Sequence, residues 1–148
     1  MRRLFVTGIG TDVGKTVISA ILTQQLQADY WKPIQAGELD NTDSMKVSQW
    51  VENSTSVIHP EAYRLTQAMS PHAAAERDDV NIEMDNIIIP KTPRNLIIEG
   101  AGGLMAPLNQ RDLVIDLISH LQADTVLVSQ HYLGSINHTI LSIEALRS

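Results

Sequence analysis

The chain has 148 residues, of which 43% are hydrophobic and 19% are charged. This length and composition indicate a single domain over residues 1–148 with a substantial core. Its formal net charge of −6 argues against a general role in binding nucleic acid or a membrane surface. The chain has no cysteine, which excludes a disulfide framework and thiol chemistry, and its apolar runs are shorter than a membrane span, so we expect a cytoplasmic protein.

The first predicted elements are a strand over residues 3–7 and a helix over residues 14–27. Between them, residues 8–16 read Gly-Ile-Gly-Thr-Asp-Val-Gly-Lys-Thr. A glycine-rich turn between a strand and a helix points its N–H groups inward, so it predicts a loop that binds the phosphates of a nucleoside triphosphate. Lys15 suits the β and γ phosphates, and the Thr16 hydroxyl suits Mg²⁺. The alternative is a glycine-rich turn with a solvated lysine.

This loop is a variant of the usual pattern. Five residues separate Gly8 from Gly14, whereas the general pattern has about four residues between its glycines. We therefore expect a phosphate-binding loop that is one residue longer than usual.

Strand and helix signals continue to alternate, which predicts an α/β fold with a mostly parallel sheet and helices on both faces. With the phosphate loop before its first helix, the predicted fold is P-loop NTPase-like. The further predicted elements are a strand at 29–32, a helix starting at 41–43, a helix starting at 70–71, an ambiguous segment at 82–89, a strand at 95–99, a glycine-rich loop at 100–103, a helix capped by Asp112, a strand at 125–129 and a helix starting at 134–135. Strand 125–129 would be a bare edge, so we expect C-terminal strands to be missing from this chain.

Polar residues follow several of these strands, where a parallel sheet places its ligands. Lys32 ends the second strand, Asp43 lies at the next helix start, and Glu99 ends a later strand. Two carboxylates and the Thr16 hydroxyl suit a hard cation such as Mg²⁺, and two lysines suit a transferring phosphoryl group. The alternatives are that Lys32 is a surface lysine, that Asp43 caps its helix, and that Glu99 is a helix-dipole or turn partner.

A second helix start follows the strand at 125–129. Residues 134–138 read Gly-Ser-Ile-Asn-His. Free N–H groups at a helix start can hold a carboxylate, so this segment is a candidate substrate site. An ordinary helix capped by Ser135 is the alternative.

Taken in chain order, these motifs resemble the dethiobiotin synthetases of the biotin pathway. The matching segments are residues 7–16, 32–37, 41–43, 70–72, 99–103 and 133–138. The Lys-Pro and Glu-Gly-Ala-Gly-Gly segments are more specific than the phosphate loop. The resemblance covers the whole chain. It implies a homodimeric, Mg-ATP-dependent cyclo-ligase that joins CO2 to the small molecule 7,8-diaminopelargonic acid through a carbamate and a phosphorylated carbamate.

The resemblance also implies roles for particular residues. Lys15 and Lys32 would be catalytic and hold the γ-phosphate and the carbamate together, and Thr16, Asp43 and Glu99 would ligate Mg²⁺. The other implied ATP contacts are Thr11, Asp12, Val13, Gly14, Val17, Gly100, Ala101 and Gly102. The implied contacts to the diamine are Ala36 and, across the dimer interface, Gly134, Ser135 and Asn137.

The sequence departs from the family pattern at several points. Asp12 stands where glutamate is frequent, and Ala36 stands where some members carry serine or threonine. Family chains are longer, and their C-terminal part supplies adenine contacts. Two other hypotheses stay open. The chain could be a different ATPase of the superfamily, such as a partition-type switch or an amide-forming ligase, or it could be a non-catalytic fragment. Lys32-Pro33 and the lack of an early lysine in the loop argue against a switch ATPase.

Overall fold

The computed structural model describes residues Met1 to Ser148. Strands and helices alternate along most of the chain. The strands are β1 (Arg3–Gly8), β2 (Asp29–Trp31), β3 (Ile34–Ala36), β4 (Ile58–His59), β5 (Tyr63–Leu65), β6 (Leu96–Gly103) and β7 (Asp124–Val128). The helices are α1 (Lys15–Leu26), α2 (Asp43–Trp50), α3 (Pro71–Arg77), α4 (Val114–His120) and α5 (Ser135–Arg147).

Five of the strands form one parallel sheet in the spatial order β4-β2-β6-β1-β7. Strands β3 and β5 form a separate parallel pair. Strand β7 lies at one edge of the main sheet, as the sequence predicts for residues 125–129. None of the helices combines the length and the apolar character needed to cross a membrane.

The two faces of the sheet support separate hydrophobic layers, because successive side chains of a strand point to opposite faces. In β6, Ile98 belongs to the layer beneath α3 and α4. Its neighbour Ile97 belongs to the layer that includes Tyr30 of β2, Ala20 of α1 and Val47 of α2. Glu99 follows Ile98, so it lies on the face covered by α1. Helices on both faces confirm the predicted α/β architecture.

Most predicted elements are confirmed within two or three residues, and the exceptions have physical causes. Residues 100–103 are the end of β6 rather than a loop, because Gly103 pairs with Gly8 beyond an irregularity in the ladder. Asp112 does not cap α4; the helix begins at Val114, and the Asp116 carboxylate accepts a hydrogen bond from the Leu113 N–H.

Sequence patterns missed strands β3, β4 and β5, which are two or three residues long and too short for a visible alternation. The ambiguous segment 82–89 contains one 3₁₀ turn, Met84–Asn86.

Candidate active site

The loop between β1 and α1 has the backbone of a phosphate cradle. Gly14 has φ 102°, and Asp12 has φ 58°, both in the left-handed region. A Cβ atom on Gly8 would lie 2.5 Å from Cγ2 of Val13 and 2.9 Å from the carbonyl oxygen of Gly10. The loop therefore needs glycine at Gly14 for its turn and at Gly8 for close packing.

Lys15 and Thr16 begin α1 directly after this loop. The Lys15 ammonium donates to the carbonyl oxygen of Gly10 at 2.8 Å, and the side chain is 8% exposed. Burial, followed by the nearby positive charge of Lys32, lowers the pKa of Lys15 below its ordinary value. The Thr16 hydroxyl donates to Oε1 of Glu99 at 2.8 Å.

Lys32 is a buried cation directly after β2. Its Nζ atom lies 2.8 Å from Oδ2 of Asp43 and 3.5 Å from Oε1 of Glu99, and it donates to the carbonyl oxygen of Gly100 at 3.3 Å. Burial alone would lower the pKa of Lys32, but Glu99 and Asp43 outweigh it and raise that pKa above its ordinary value. Lys32 is therefore not a surface lysine.

Asp43 is the first residue of α2, and it is not the helix cap. Thr42 caps α2, because its hydroxyl accepts a hydrogen bond from the Met45 N–H at 3.1 Å. The Asp43 carboxylate instead contacts Lys32, and its other oxygen lies 3.5 Å from Nζ of Lys46. Burial would raise the pKa of Asp43, but the two lysines outweigh it and hold that pKa below its ordinary value.

Glu99 is 1% exposed and fully engaged with side chains. Oε1 accepts from Thr16, and Oε2 accepts from the Tyr30 hydroxyl at 2.8 Å. These contacts rule out the interpretation of Glu99 as a helix-dipole or turn partner. Burial and the adjacent Glu99 raise the pKa of Tyr30 well above its ordinary value, so this phenol stays protonated and donates.

The donor set fits a hard cation that keeps part of its water. The carboxylates of Asp43 and Glu99 converge on Lys32, and the Thr16 hydroxyl contacts Glu99 directly. No group of three or more His, Cys, Asp or Glu side chains is placed to hold a metal ion by itself. Mg²⁺ typically takes one or two carboxylates and completes its octahedron with water and substrate phosphates, so two carboxylates and a hydroxyl are sufficient.

These groups open into one cavity of about 1020 Å³. The predicted site residues that line it are Thr11, Asp12, Gly14, Lys15, Thr16, Val17, Lys32, Ala36, Asp43, Glu99, Ala101 and Gly102. Val13 does not line the cavity, because its side chain packs in the layer beneath α1. Gly100 does not line it either; a Cβ atom there would lie 2.7 Å from Cε1 of Phe5.

The start of α5 lies apart from this cavity. Gly134 and Ser135 line a separate surface depression of about 470 Å³, and Asn137 is exposed and lines neither cavity. Gly134 is the cap residue, with φ 99° and no side-chain cap, so the interpretation of α5 as a helix capped by Ser135 is wrong. The helix start that the sequence indicated as a candidate substrate site therefore does not line the cavity of the phosphate loop in the same chain.

Gln35 is a site residue that sequence reasoning gave no role. Its amide donates to the carbonyl oxygen of Gly37 at 2.9 Å, and its Oε1 accepts from the Asp43 N–H at 3.2 Å. The side chain is 4% exposed and lines the cavity. It thereby ties the start of α2 to the turn after β3. Its position directly after Lys32-Pro33-Ile34 is the only sequence signal that could have indicated it.

Comparison with known proteins gives a consistent family. Residues 2–148 match the family described as AAA domain. The chain is 59% identical over 144 residues to the ATP-dependent dethiobiotin synthetase BioD of Christiangramia forsetii, and the match covers 97% of this chain and 69% of the relative. It is 55% identical over 148 residues to the protein of the same name from Cytophaga hutchinsonii, with 99% of this chain and 71% of the relative covered.

Proposed function

The chain belongs to the ATP-dependent dethiobiotin synthetases, and on this premise we propose that it makes dethiobiotin from 7,8-diaminopelargonic acid, CO2 and ATP. One observation carries the proposal for this molecule. Two buried lysines, Lys15 and Lys32, share a cavity with a phosphate loop and with the carboxylates of Asp43 and Glu99. A site that joins two anionic reactants needs such cations between them.

The proposed reaction has three steps. One amine of the substrate attacks CO2 and loses a proton, which leaves a carbamate. A carbamate oxygen then attacks the γ-phosphorus of ATP, and the bond to the bridging oxygen of ADP breaks. The second amine attacks the carbamate carbon, the C–O bond to phosphate breaks, and a proton leaves as the ureido ring closes. Phosphorylation is needed because an unmodified carbamate oxygen is a poor leaving group.

Each of the two lysines would neutralise negative charge on a different reactant. Lys15 follows the phosphate loop and would pair with the γ-phosphate. Lys32 comes from a different strand and would pair with the carbamate while facing the same phosphate. Because Asp43 and Glu99 raise the pKa of Lys32, this side chain stays an ammonium ion at neutral pH. Lys32 therefore does not compete with the substrate amines as a nucleophile.

Thr16, Asp43 and Glu99 are the residues that would hold Mg²⁺. When bound, the ion supplies positive charge to the β and γ phosphates. The residues themselves contribute preorganisation, because Glu99 is already fixed by two hydroxyl groups before any ligand arrives. Oxygen donors held in this way lose little freedom on binding.

The remaining nucleotide contacts in the proposal come mainly from the loop. Thr11, Asp12, Gly14, Val17, Ala101 and Gly102 line the same cavity, which supports contacts from their side chains or backbone. For Val13 and Gly100 the proposal is limited to backbone contacts, because the Val13 side chain packs in the core and Gly100 has no side chain. We also propose a cytoplasmic location, where ATP is available.

We propose a homodimer in which the start of α5 binds the substrate carboxylate at the partner's site. Gly134, Ser135 and Asn137 lie outside this chain's own cavity, so they would reach a diamine only in another copy. The exposed apolar side chains of Ile136 and Ile140 on α5, and of Leu133 just before it, form a surface suited to an interface. Ala36 would contact the diamine from within the same copy.

The test is phosphate release from Mg-ATP with the diamine, bicarbonate, both or neither. We expect release only when both are present, with dethiobiotin detected by mass spectrometry in equal amount. Phosphate release that does not depend on the diamine would contradict the proposed ligase activity and favour another ATPase of the superfamily. Saturable binding of the diamine without turnover would favour a non-catalytic fragment.

A further inference from the structure

We propose that Tyr30 is a positioning residue for the metal site, which sets the orientation of Glu99 through its hydroxyl group. The inference rests on the proposed function, because it takes Glu99 as a Mg²⁺ ligand. Tyr30 itself does not line the cavity and would touch neither substrate nor metal. Its effect would be transmitted only through the Glu99 carboxylate.

The position of the Tyr30 hydroxyl is fixed by packing. Tyr30 is 0% exposed and lies in the layer between the sheet and α1, among Val6, Val47 and Ile97. Strand β2 pairs with β6 so that Tyr30 is opposite Ile97 and Trp31 is opposite Ile98. The phenol therefore extends along the sheet toward Glu99, which lies two residues beyond Ile97 on the same face. A ring held on all sides gives its hydroxyl little freedom.

The two oxygens of Glu99 consequently have different partners. Oε2 accepts the Tyr30 hydroxyl at 2.8 Å, at a buried position. Oε1 accepts the Thr16 hydroxyl at 2.8 Å and lies 3.5 Å from Nζ of Lys32. The tyrosine thereby engages the inner oxygen and leaves the other oxygen on the side of Thr16. Hydrogen bonds of this kind orient ligands, and their loss typically weakens metal binding about 10-fold to 100-fold.

The competing explanation is that Tyr30 only fills the core. The ring and the hydroxyl can be separated, because Tyr30→Phe keeps the ring and removes the hydrogen bond. Tyr63→Phe is a matched control. The Tyr63 hydroxyl accepts from the Glu83 N–H at 3.1 Å and does not line the cavity, so its loss removes one hydrogen bond elsewhere.

The experiment measures binding of a non-hydrolysable ATP analogue by calorimetry over a series of Mg²⁺ concentrations, with thermal melting in parallel. The proteins compared are the parent, Tyr30→Phe, Tyr63→Phe, Glu99→Gln and the double variant Tyr30→Phe/Glu99→Gln. We expect Tyr30→Phe to raise the Mg²⁺ concentration for half-maximal binding by about 10-fold, with unchanged affinity for the Mg-free analogue. We expect Tyr63→Phe to match the parent.

The double variant tests whether Tyr30 acts through Glu99. We expect it to bind Mg²⁺ as Glu99→Gln does, and further weakening beyond Glu99→Gln would overturn the proposal. In Tyr30→Phe the buried Glu99 carboxylate loses the hydroxyl that donates to it, which can destabilise the fold. The double variant has no carboxylate at position 99, so it can be tested even if Tyr30→Phe does not fold.

The remaining outcomes distinguish the positioning role of Tyr30 from the role of Glu99 as a Mg²⁺ ligand. A parent-like Mg²⁺ response in Tyr30→Phe, with a weakened one in Glu99→Gln, would overturn the role of Tyr30 and leave the metal site intact. Parent-like responses in both would remove Glu99 from the metal site and the inference with it. An equal shift in Tyr63→Phe would show that the effect is general and would overturn the proposal.

Discussion

The ammonium nitrogen of Lys32 lies 2.8 Å from Oδ2 of Asp43, and the two side chains are 5% and 20% exposed. Each group shifts the other toward its charged form, since the pKa of Lys32 is raised and that of Asp43 is lowered. The pair joins the residue that follows β2 to the first residue of α2. It is therefore both a structural link and part of the proposed reaction site.

The pair predicts a pH dependence of stability. The folded pKa of Asp43 lies below the ordinary value of 3.8, so its contribution is complete above that value and is lost as pH falls through the folded pKa. Lys32 has a raised pKa, so its contribution is lost only in alkaline solution, above 10.5. We expect Asp43→Asn to lower the free energy of unfolding by about 1–3 kcal/mol near pH 7.

Urea denaturation of the parent and Asp43→Asn from pH 3 to pH 9 checks this expectation. The difference should be constant in the neutral range and should shrink below about pH 4, where the Asp43 carboxylate of the unfolded parent takes up a proton before that of the folded parent does. A difference that stays constant into acid would show that the charge of Asp43 does not stabilise the fold.

Lys15 is predicted to be essential for turnover. Lys15→Ala removes the cation that the proposal pairs with the γ-phosphate, so we expect kcat to fall at least about 100-fold. The matched control is Lys91→Ala, which removes an exposed lysine outside the cavity. Steady-state phosphate release measures both variants. Equal loss in the two variants would indicate a general effect of charge, and parent-like turnover in Lys15→Ala would contradict the phosphate-loop assignment.

The turn of the phosphate loop gives a backbone prediction. Gly14 has φ 102°, and a Cβ atom added there would meet no other atom within 4 Å, so Gly14→Ala is strained by conformation and not by space. We expect it to lower the free energy of unfolding by about 1–2 kcal/mol. Gly10→Ala has equal space without the positive φ, so we expect little change. Equal effects in urea denaturation would contradict the conformational explanation.

The sequence predicted the charged residues of the site better than the hydrogen bonds that hold them in place. Lys32 and Glu99 end predicted strands and Asp43 lies at a predicted helix start, and parallel topology brings such positions to one edge of the sheet. Tyr30 and Gln35 gave no comparable signal, because their roles depend on single hydrogen bonds to Glu99 and to the Asp43 N–H. A strand pattern shows which face a residue occupies, but it does not show which neighbouring strand supplies its partner.

Gln35 is predicted to position Asp43. Gln35→Met keeps much of the side-chain volume but removes the acceptor for the Asp43 N–H and the donor for the Gly37 carbonyl oxygen. We expect a several-fold higher Mg²⁺ requirement with a smaller change in the KM for ATP, because the phosphate loop is untouched. Gln67→Met, at an exposed glutamine, is the control. Turnover measured over a Mg²⁺ series would contradict the role if both variants followed the parent's curve.

The proposed dimer gives a prediction for the exposed face of α5. Ile136 is 77% exposed in the single chain, and Ile88, on the segment before β6, is 76% exposed. A carboxylate placed in an apolar interface is costly, so we expect Ile136→Asp to shift a dimeric parent toward monomer in analytical ultracentrifugation. Ile88→Asp carries the same change at the same exposure outside α5, and we expect it to stay dimeric. A parent that sediments as a monomer, or an Ile136→Asp variant as dimeric as the parent, would contradict this interface. Because the substrate carboxylate would be bound by the partner's α5, the same variant should raise the KM for the diamine more than the KM for ATP.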